Sequence, residues 1–244
     1  MEYRVDFFVS MIGIFFRDCT GFLAINILFT SIGSLGGWHY HEILFLYSFS
    51  LLTLTPLQLF FDKTWDLRGD ITSGVFLKYY FKPLNSLFYY MSEKFDIKGI
   101  SQLLFATAGL VYASIKLDIP WTPLFILEFT LLAISSSLIM ISLLLFASVP
   151  AFWITDSYAL LELIFNLRDF SRYPLTIFSR PLRWILSTLI PMGFIAYHPT
   201  THLLHKNSDF VLPIYATPVV GLLFFFLAVK FWEKGVNSWS GTGS

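Results

Sequence analysis

Four arginines, Arg168, Arg172, Arg180 and Arg183, stand close together in NLRDFSRYPLTIFSRPLRWILSTLIPMGFIAYHP, residues 166–199. Guanidinium groups carry a permanent charge and hold phosphates or carboxylates through paired hydrogen bonds. Two readings of this cluster stand side by side. It can anchor the chain on anionic headgroups, or it can form a surface that touches a partner protein or substrate headgroups. Five histidines form a second group: His39, His41, His198, His202 and His205. His198 and His202 are four residues apart and His205 is three further on, which is metal-ligand spacing on one helical face. The alternative is that they are polar loop residues at a membrane surface. Glu128 is the main acidic candidate. It reads as a headgroup-level carboxylate or as a proton relay. The sequence contains no GxxxxGK[ST] phosphate loop, no nucleophile elbow, no HExxH and no cysteine-based metal site. The chain therefore does not bind ATP in the P-loop manner.

Composition says where such residues must be held. The 244 residues are 56% hydrophobic and 13% charged, with a mean hydropathy of +0.68. The charged fraction is about half that of a soluble domain. Several apolar runs approach the roughly 20 residues needed to cross a bilayer. The class is an all-α integral membrane protein that crosses the bilayer several times. Net charge is zero, so nothing points to nucleic acid. Cys19 is the single cysteine and excludes an internal disulfide. No cleavable signal peptide is read at the N-terminus, and no linker or repeat divides the single domain, 1–244.

Taken in order, Glu2, Asp6, Ser10, Gly13 and Arg17 form a narrow polar stripe on one helical face. This suits an interfacial helix to about Phe15, followed by a first span over 16–33, with Arg17 at the inner boundary. The alternative is the start of a span whose stripe faces other helices. At mid-bilayer Arg17 would cost roughly 2.5–3.5 kcal/mol. An outer turn over 34–42 leads to a second span, 43–61, containing Pro56. Residues 62–98 carry six Lys or Arg and read as a cytoplasmic loop. Spans three and four follow over 100–117 and 124–149. Residues 152–182 read as a cytoplasmic amphipathic segment, because Thr155, Glu162, Asn166 and Asp169 share a face. Pro174 and Pro181 stop the basic stretch from forming one helix. The fifth span covers 182–197, an outer loop covers 198–210, and the sixth span covers 212–232. On this plan thirteen of the sixteen Lys and Arg lie inside, and both termini are cytoplasmic. If 152–169 crossed instead, the arginine cluster would be forced outward.

Within the loop, Asp70, Thr72 and Ser73 are helix-start residues and Pro83 is a stop. A short helix between Ile71 and Phe81 would expose Phe76, Tyr79 and Tyr80, with Lys78 and Lys82 nearby. Aromatic anchors with a charged rim suit a compact docking contact. A loop lying on lipid headgroups would use the same residues.

Several motifs carry a resemblance: Tyr3-Arg4-x-Asp6-Phe7, Gly37-Trp38, Lys82-Pro-Leu-Asn85, Phe170-Ser-Arg-Tyr-Pro174, Arg180-Pro-Leu-Arg183, Ile190-Pro191, Tyr197-His-Pro199 and Gly235. In this order and spacing the chain resembles the six-span permease subunits of the type-two ABC export transporter family. The chain departs from that pattern after Gly74, where Val75-Phe-Leu77 follows, and after Gly235, where Val236-Asn-Ser-Trp239 follows. The resemblance implies six transmembrane helices with an N-terminal interfacial helix. It implies a multi-pass subunit of the plasma (cytoplasmic) membrane that performs no bond chemistry. It also implies a second permease chain, identical or related, and an ABC ATPase in two copies that binds the ATP and Mg. No cofactor is then bound by this chain. The contact that couples ATP hydrolysis to the spans is implied to lie in the 62–98 loop, with Asp70, Phe76, Lys78, Tyr79, Tyr80 and Lys82 as its residues. Two other functions stay open on the residues alone. One is a membrane enzyme with a metal on His198, His202 and His205. The other is a secondary transporter.

Overall fold

The computed structural model describes residues 2–97, 99–154, 157–206 and 215–239. The chain is helical, and among the described residues the only extended pairing is a bridge between Leu35 and Trp38. Helix α1 runs Glu2–Ser31 without a break. The division expected near Phe15 is absent because no proline falls in this stretch, and a lone Gly13 costs a helix only about 1 kcal/mol. At about 1.5 Å per residue α1 is about 45 Å long, more than a roughly 30 Å hydrocarbon core. The side chains of Glu2, Asp6 and Ser10, the residues 207–210, and those beyond Trp239 lie outside the described set.

Helix α2, Tyr40–Phe60, begins in a capping box: the His39 amide donates to the Glu42 carboxylate at 2.7 Å. It passes through Pro56 without ending, and most of it is buried on all sides. Three short helices, α3 (Leu67–Thr72), α4 (Leu77–Tyr80) and α5 (Ser86–Ser92), build the following loop. Helix α6 covers Gly99–Lys116 and α7 covers Pro123–Ser148. Thr122 caps α7 by accepting from the Phe125 amide, with Pro123 in the first turn where its missing N–H costs nothing. The last long helix, α11, is Ala216–Ser238. Among the described residues two helical stretches, 40–60 and 123–152, are long and apolar enough to cross a membrane.

The bundle packs α6 and α7 against α2, and α11 against α7. A Cβ on Gly221 of α11 would lie 2.6 Å from the Ser135 carbonyl oxygen of α7, so these backbones cross in direct contact. The outside of the bundle is apolar: Phe16, Leu23 and Ile27 of α1, Leu104 and Ile115 of α6, Leu127 and Ile134 of α7, and Leu222 and Phe226 of α11 are exposed. Such a belt is unfavourable in water and suits hydrocarbon.

The segment after α7 differs from the sequence expectation. Helix α8, Tyr158–Leu167, and a 3-10 turn, Arg168–Arg172, do not lie across one end of the bundle. Tyr158 and Phe165 pack on Trp65, which follows the end of α2. The Ser171 hydroxyl meets the Ser50 hydroxyl, halfway along α2, at 2.9 Å. Thr176 then donates to the Gly36 carbonyl in the α1–α2 turn at 2.8 Å. Residues 158–177 thus run the length of the bundle, antiparallel to α2.

Residues 182–197, expected as the fifth span, form instead half of a hairpin. Helix α9 stops at Thr188 ahead of Pro191. Ser136 of α7 donates to the Phe194 carbonyl at 2.8 Å, and Thr53 of α2 donates to the Ile195 carbonyl at 3.3 Å. The chain therefore dips from the Gly36 end to the middle of the bundle. It returns through α10, Tyr197–Leu203, to Lys206, which donates to Gly37 O at 2.9 Å and pairs with Glu42 at 2.6 Å. Residues 198–203, expected at the start of an outer loop, belong to a largely buried helix.

The backbone contact at Gly221 gives a test. Gly221→Val should force α11 off α7 and destabilise the protein by about 1–3 kcal/mol. Gly69→Ala, where an added Cβ meets nothing within 4 Å, should leave the melting temperature unchanged or higher. Thermal unfolding in detergent, followed by size exclusion, reads both.

Candidate functional site

The loop between α2 and α6 does not form the single helix expected over 71–81. Gly74 sits at φ +76°, a left-handed turn that ends α3 and separates it from α4. The turn directs Phe76 inward. Its ring packs against Tyr79, Tyr90, Phe152, Trp232 and Trp239, with centroids 5.1–6.0 Å apart. Phe76 is 0% exposed and Tyr79 is 1% exposed. Both were expected on the surface and are core residues: the Gly74 turn sets Phe76 against Phe152 and Trp232, and the short α4 packs Tyr79 against Tyr89 and Tyr90 of α5. Tyr80, at 43% exposed, is outside as expected.

Polar contacts fix this geometry. Asp70 accepts from the Tyr90 hydroxyl at 2.9 Å and pairs with Lys63 at 3.2 Å. Glu93 pairs with Lys63 at 3.3 Å, with Lys78, and accepts from the Tyr79 hydroxyl. Lys94 bridges Asp62 at 2.8 Å and Asp66 at 3.3 Å. Lys82 donates to the Tyr89 hydroxyl at 2.6 Å and lies over its ring. Burial, then the neighbouring Asp70, push the Tyr90 phenol above its usual range. Burial alone would raise the Glu93 carboxyl. The hydrogen bonds and charges of Lys78 and Lys63 outweigh it and hold the group below the usual carboxylate range. Burial likewise opposes the charge on Lys94, and Asp62 with Asp66 reverses that and raises it. Of the expected set, then, Asp70, Lys78 and Lys82 brace the loop, Phe76 and Tyr79 root it, and Tyr80 faces out.

Sequence reasoning missed the exposed residues beside Tyr80. Phe81 and Phe88 are 76% and 74% exposed, and Leu84 and Val75 are also exposed. Apolar side chains next to Pro83, in a segment too short to bury them, were the available signal.

The arginines separate along the segment that runs beside α2. Arg168 and Arg172 lie inside the bundle, with side chains 11% and 16% exposed. The Arg168 guanidinium lies over the Phe165 ring at 3.6 Å, and Arg172 pairs with Asp169 at 3.3 Å and faces Tyr47. Arg183 donates to the carbonyls of Leu175 and Thr176, each at 3.2 Å, at the Gly36 end, and Arg180 opens α9 beside it. The four do not form one surface at one end of the bundle, because Thr176 has already reached that far end.

The histidines do not converge. His198 is buried and shares a hydrogen bond with Ser187 at 3.1 Å. His202 faces Glu128 at 3.8 Å, and its ring lies 6.3 Å from that of His205. Among the described residues no three His, Cys, Asp or Glu side chains come together as a metal site. Glu128 has His202 as its neighbour, at the Gly36 end of α7.

A family model described as "ABC-2 family transporter protein" matches residues 15–243. No curated protein and no solved structure matches the chain.

The loop's charges give it a defined pH window. Glu93, lowered in the fold, stabilises it above the ordinary carboxylate value of 4.5, and that contribution is lost as pH falls through the folded value below it. Lys94, raised in the fold, stabilises below its ordinary 10.5 and loses that contribution as pH rises through its higher folded value. Amide protection factors over residues 63–93, corrected for the intrinsic pH dependence of exchange, should therefore fall on acidification below pH 4.5. Glu93→Gln should show fast exchange already at neutral pH and lose the acid step.

Proposed function

The chain belongs to the ABC-2 family of transporter proteins, and from that premise we propose that it is the membrane permease subunit of an ATP-driven exporter. On this reading it crosses the bilayer six times: α1, α2, α6, α7, residues 158–177 and α11. The α9–α10 hairpin re-enters from the Gly36 side without crossing. The loop 62–98 then faces the cytoplasm with both termini. The charge pattern supports this orientation. Lys63, Arg68, Lys78, Lys82, Lys94, Lys230 and Lys234 gather at the loop end, against Lys116, Arg180, Arg183 and Lys206 at the other. The arginine pair at positions 180 and 183 is thereby outside, the cost accepted for a fifth crossing that starts at Tyr158.

The partner ATPase docks on the loop through Tyr80, Phe81, Leu84 and Phe88, with Lys82 at the rim. The observation that carries this assignment is the pairing of two surfaces on one small unit. Its outer face is exposed and apolar, while Phe76 on its inner face contacts both Phe152 at the end of α7 and Trp232 of α11. A push on the outer face reaches two long helices through packed rings. ATP and Mg are held by two copies of the ATPase. A second permease chain, identical or related, completes the substrate path.

Two measurements test the proposal. Phe81→Ala with Phe88→Ala should leave expression and melting unchanged while ATPase co-purification falls about tenfold or more, in line with the loss of hot-spot aromatics. Phe76→Ala should instead destabilise the protein by about 3–5 kcal/mol. Normal ATPase capture and transport in the double variant would refute the docking face. For topology, single cysteines at Ser73 and Ser179 in a Cys19→Ser background should label from opposite sides of the membrane. Labelling of both from one side would rule out a crossing at 158–177.

A further inference from the structure

Helix α10 ends on a strained turn. His205 lies at φ +48°, a left-handed conformation that residues other than glycine rarely adopt. Its amide donates to the His202 carbonyl at 3.0 Å, and the Lys206 amide donates to the Thr201 carbonyl at 2.9 Å. The Thr201 hydroxyl is buried and, among the described residues, has no hydrogen-bond partner. This end of the hairpin needs support from outside itself, and two side chains supply it. Lys206 pairs with Glu42 of α2 at 2.6 Å, and His202 faces Glu128 of α7 at 3.8 Å. The hairpin is thus pinned to a different long helix on each side.

The two pins differ in chemistry. Lysine carries its charge across the neutral range, whereas histidine gains or loses its charge between about pH 5 and 8. At 3.8 Å the His202–Glu128 contact is too long for a hydrogen bond, so it attracts through charge, when the imidazole is protonated. The two side chains are 30% and 31% exposed, which leaves them open to protons.

Among the described residues no other charge competes for His202 from the elements packed on α10. Glu128 is the one charged residue of α7, and the 3-10 turn Met192–Phe194 has none. On α2, Glu42 is held by Lys206 and the His39 amide, and the His41 ring lies against Tyr112 of α6. On α9, Arg183 donates to backbone carbonyls and Arg180 is exposed. Within the hairpin, His198 shares its hydrogen bond with Ser187. The His205 ring, 6.3 Å from that of His202, belongs to an exposed residue, so solvent and salt screen its repulsion.

We propose that His202 and Glu128 form a proton-operated clasp, which fixes the hairpin to α7 in mild acid and releases it above neutrality while Lys206 keeps it on α2. The clasp rests on the packing of the hairpin and not on ATPase docking. On the orientation proposed above, this end faces outward and the clasp reads external pH.

The test follows hydrogen exchange over residues 197–206 of the full chain in nanodiscs, corrected for the intrinsic effect of pH and referred to residues 216–238. From about pH 8 to about pH 5.5, protection should rise about two- to fivefold in the wild type, as for a partly exposed ion pair. H202Q and E128Q should hold the low value at both pH values. H202K, charged throughout, should hold the high value at both, an outcome that a merely structural role for His202 would not give. H205Q should keep the wild-type step, and K206Q should lower protection at both pH values and keep the step. Should H202Q not fold, H202K and E128Q read the clasp without it. A wild type without the step, or a step that survives in E128Q or H202K, would overturn the clasp. So would a step lost in H205Q and kept in H202Q. Reversed labelling at Ser73 and Ser179 would overturn the outward sense alone.

Discussion

Buried backbone must find hydrogen-bond partners, and in hydrocarbon only the protein can supply them. Residues 158–203 leave helical structure at four places, 173–174, 178–179, 189–191 and 195–196. The broken stretch persists because side chains on continuous helices meet it at the breaks. Ser50 meets Ser171, Thr53 reaches the Ile195 carbonyl, and Ser136 reaches the Phe194 carbonyl. Each of these hydroxyls sits near the midpoint of α2 or α7. The middle of two apolar helices is thus patterned to receive a polar, interrupted segment. That arrangement sets the path of residues 158–177 along the bundle and the depth of the hairpin that follows them.

The loop end of the bundle obeys a different constraint. Short helices have too little backbone cooperativity to stand alone, so α3, α4 and α5 are held by side chains. Phe76 and its surrounding rings tie them to α7 and α11, and the Lys63, Lys78 and Glu93 contacts tie them to one another. The unit is rigid on the inside and apolar on the outside. Such a body can transmit displacement.

Charge counting along the sequence went astray at one place, and the reason is physical. The positive-inside rule weighs charges near span ends. Arg168 and Arg172 are not at an end. They are inside the bundle, stacked on Phe165 and Tyr47 and paired with Asp169. A guanidinium accommodated by aromatic faces and a carboxylate no longer reports the membrane surface. Reading these residues as surface anchors placed 152–182 at one end of the bundle, whereas 158–177 run along it beside α2.

The sequence by itself determined the class: an apolar, weakly charged chain must fold as membrane helices, and the apolar runs over α2, α6, α7 and α11 were legible because each is continuous in both sequence and space. The motif order also pointed to the family that the match over 15–243 shows. Tertiary structure alone decided what the interrupted residues do. Nothing local in Tyr158–Ile177 tells a helix at one end of the bundle from a segment running along it, since its polar residues are met by Ser50, Tyr47 and Gly36 from distant parts of the chain. Likewise, Phe76 and Phe81 are the same residue type in one short loop. Only the turn at Gly74 and the rings of Trp232 and Phe152 bury the first and leave the second exposed.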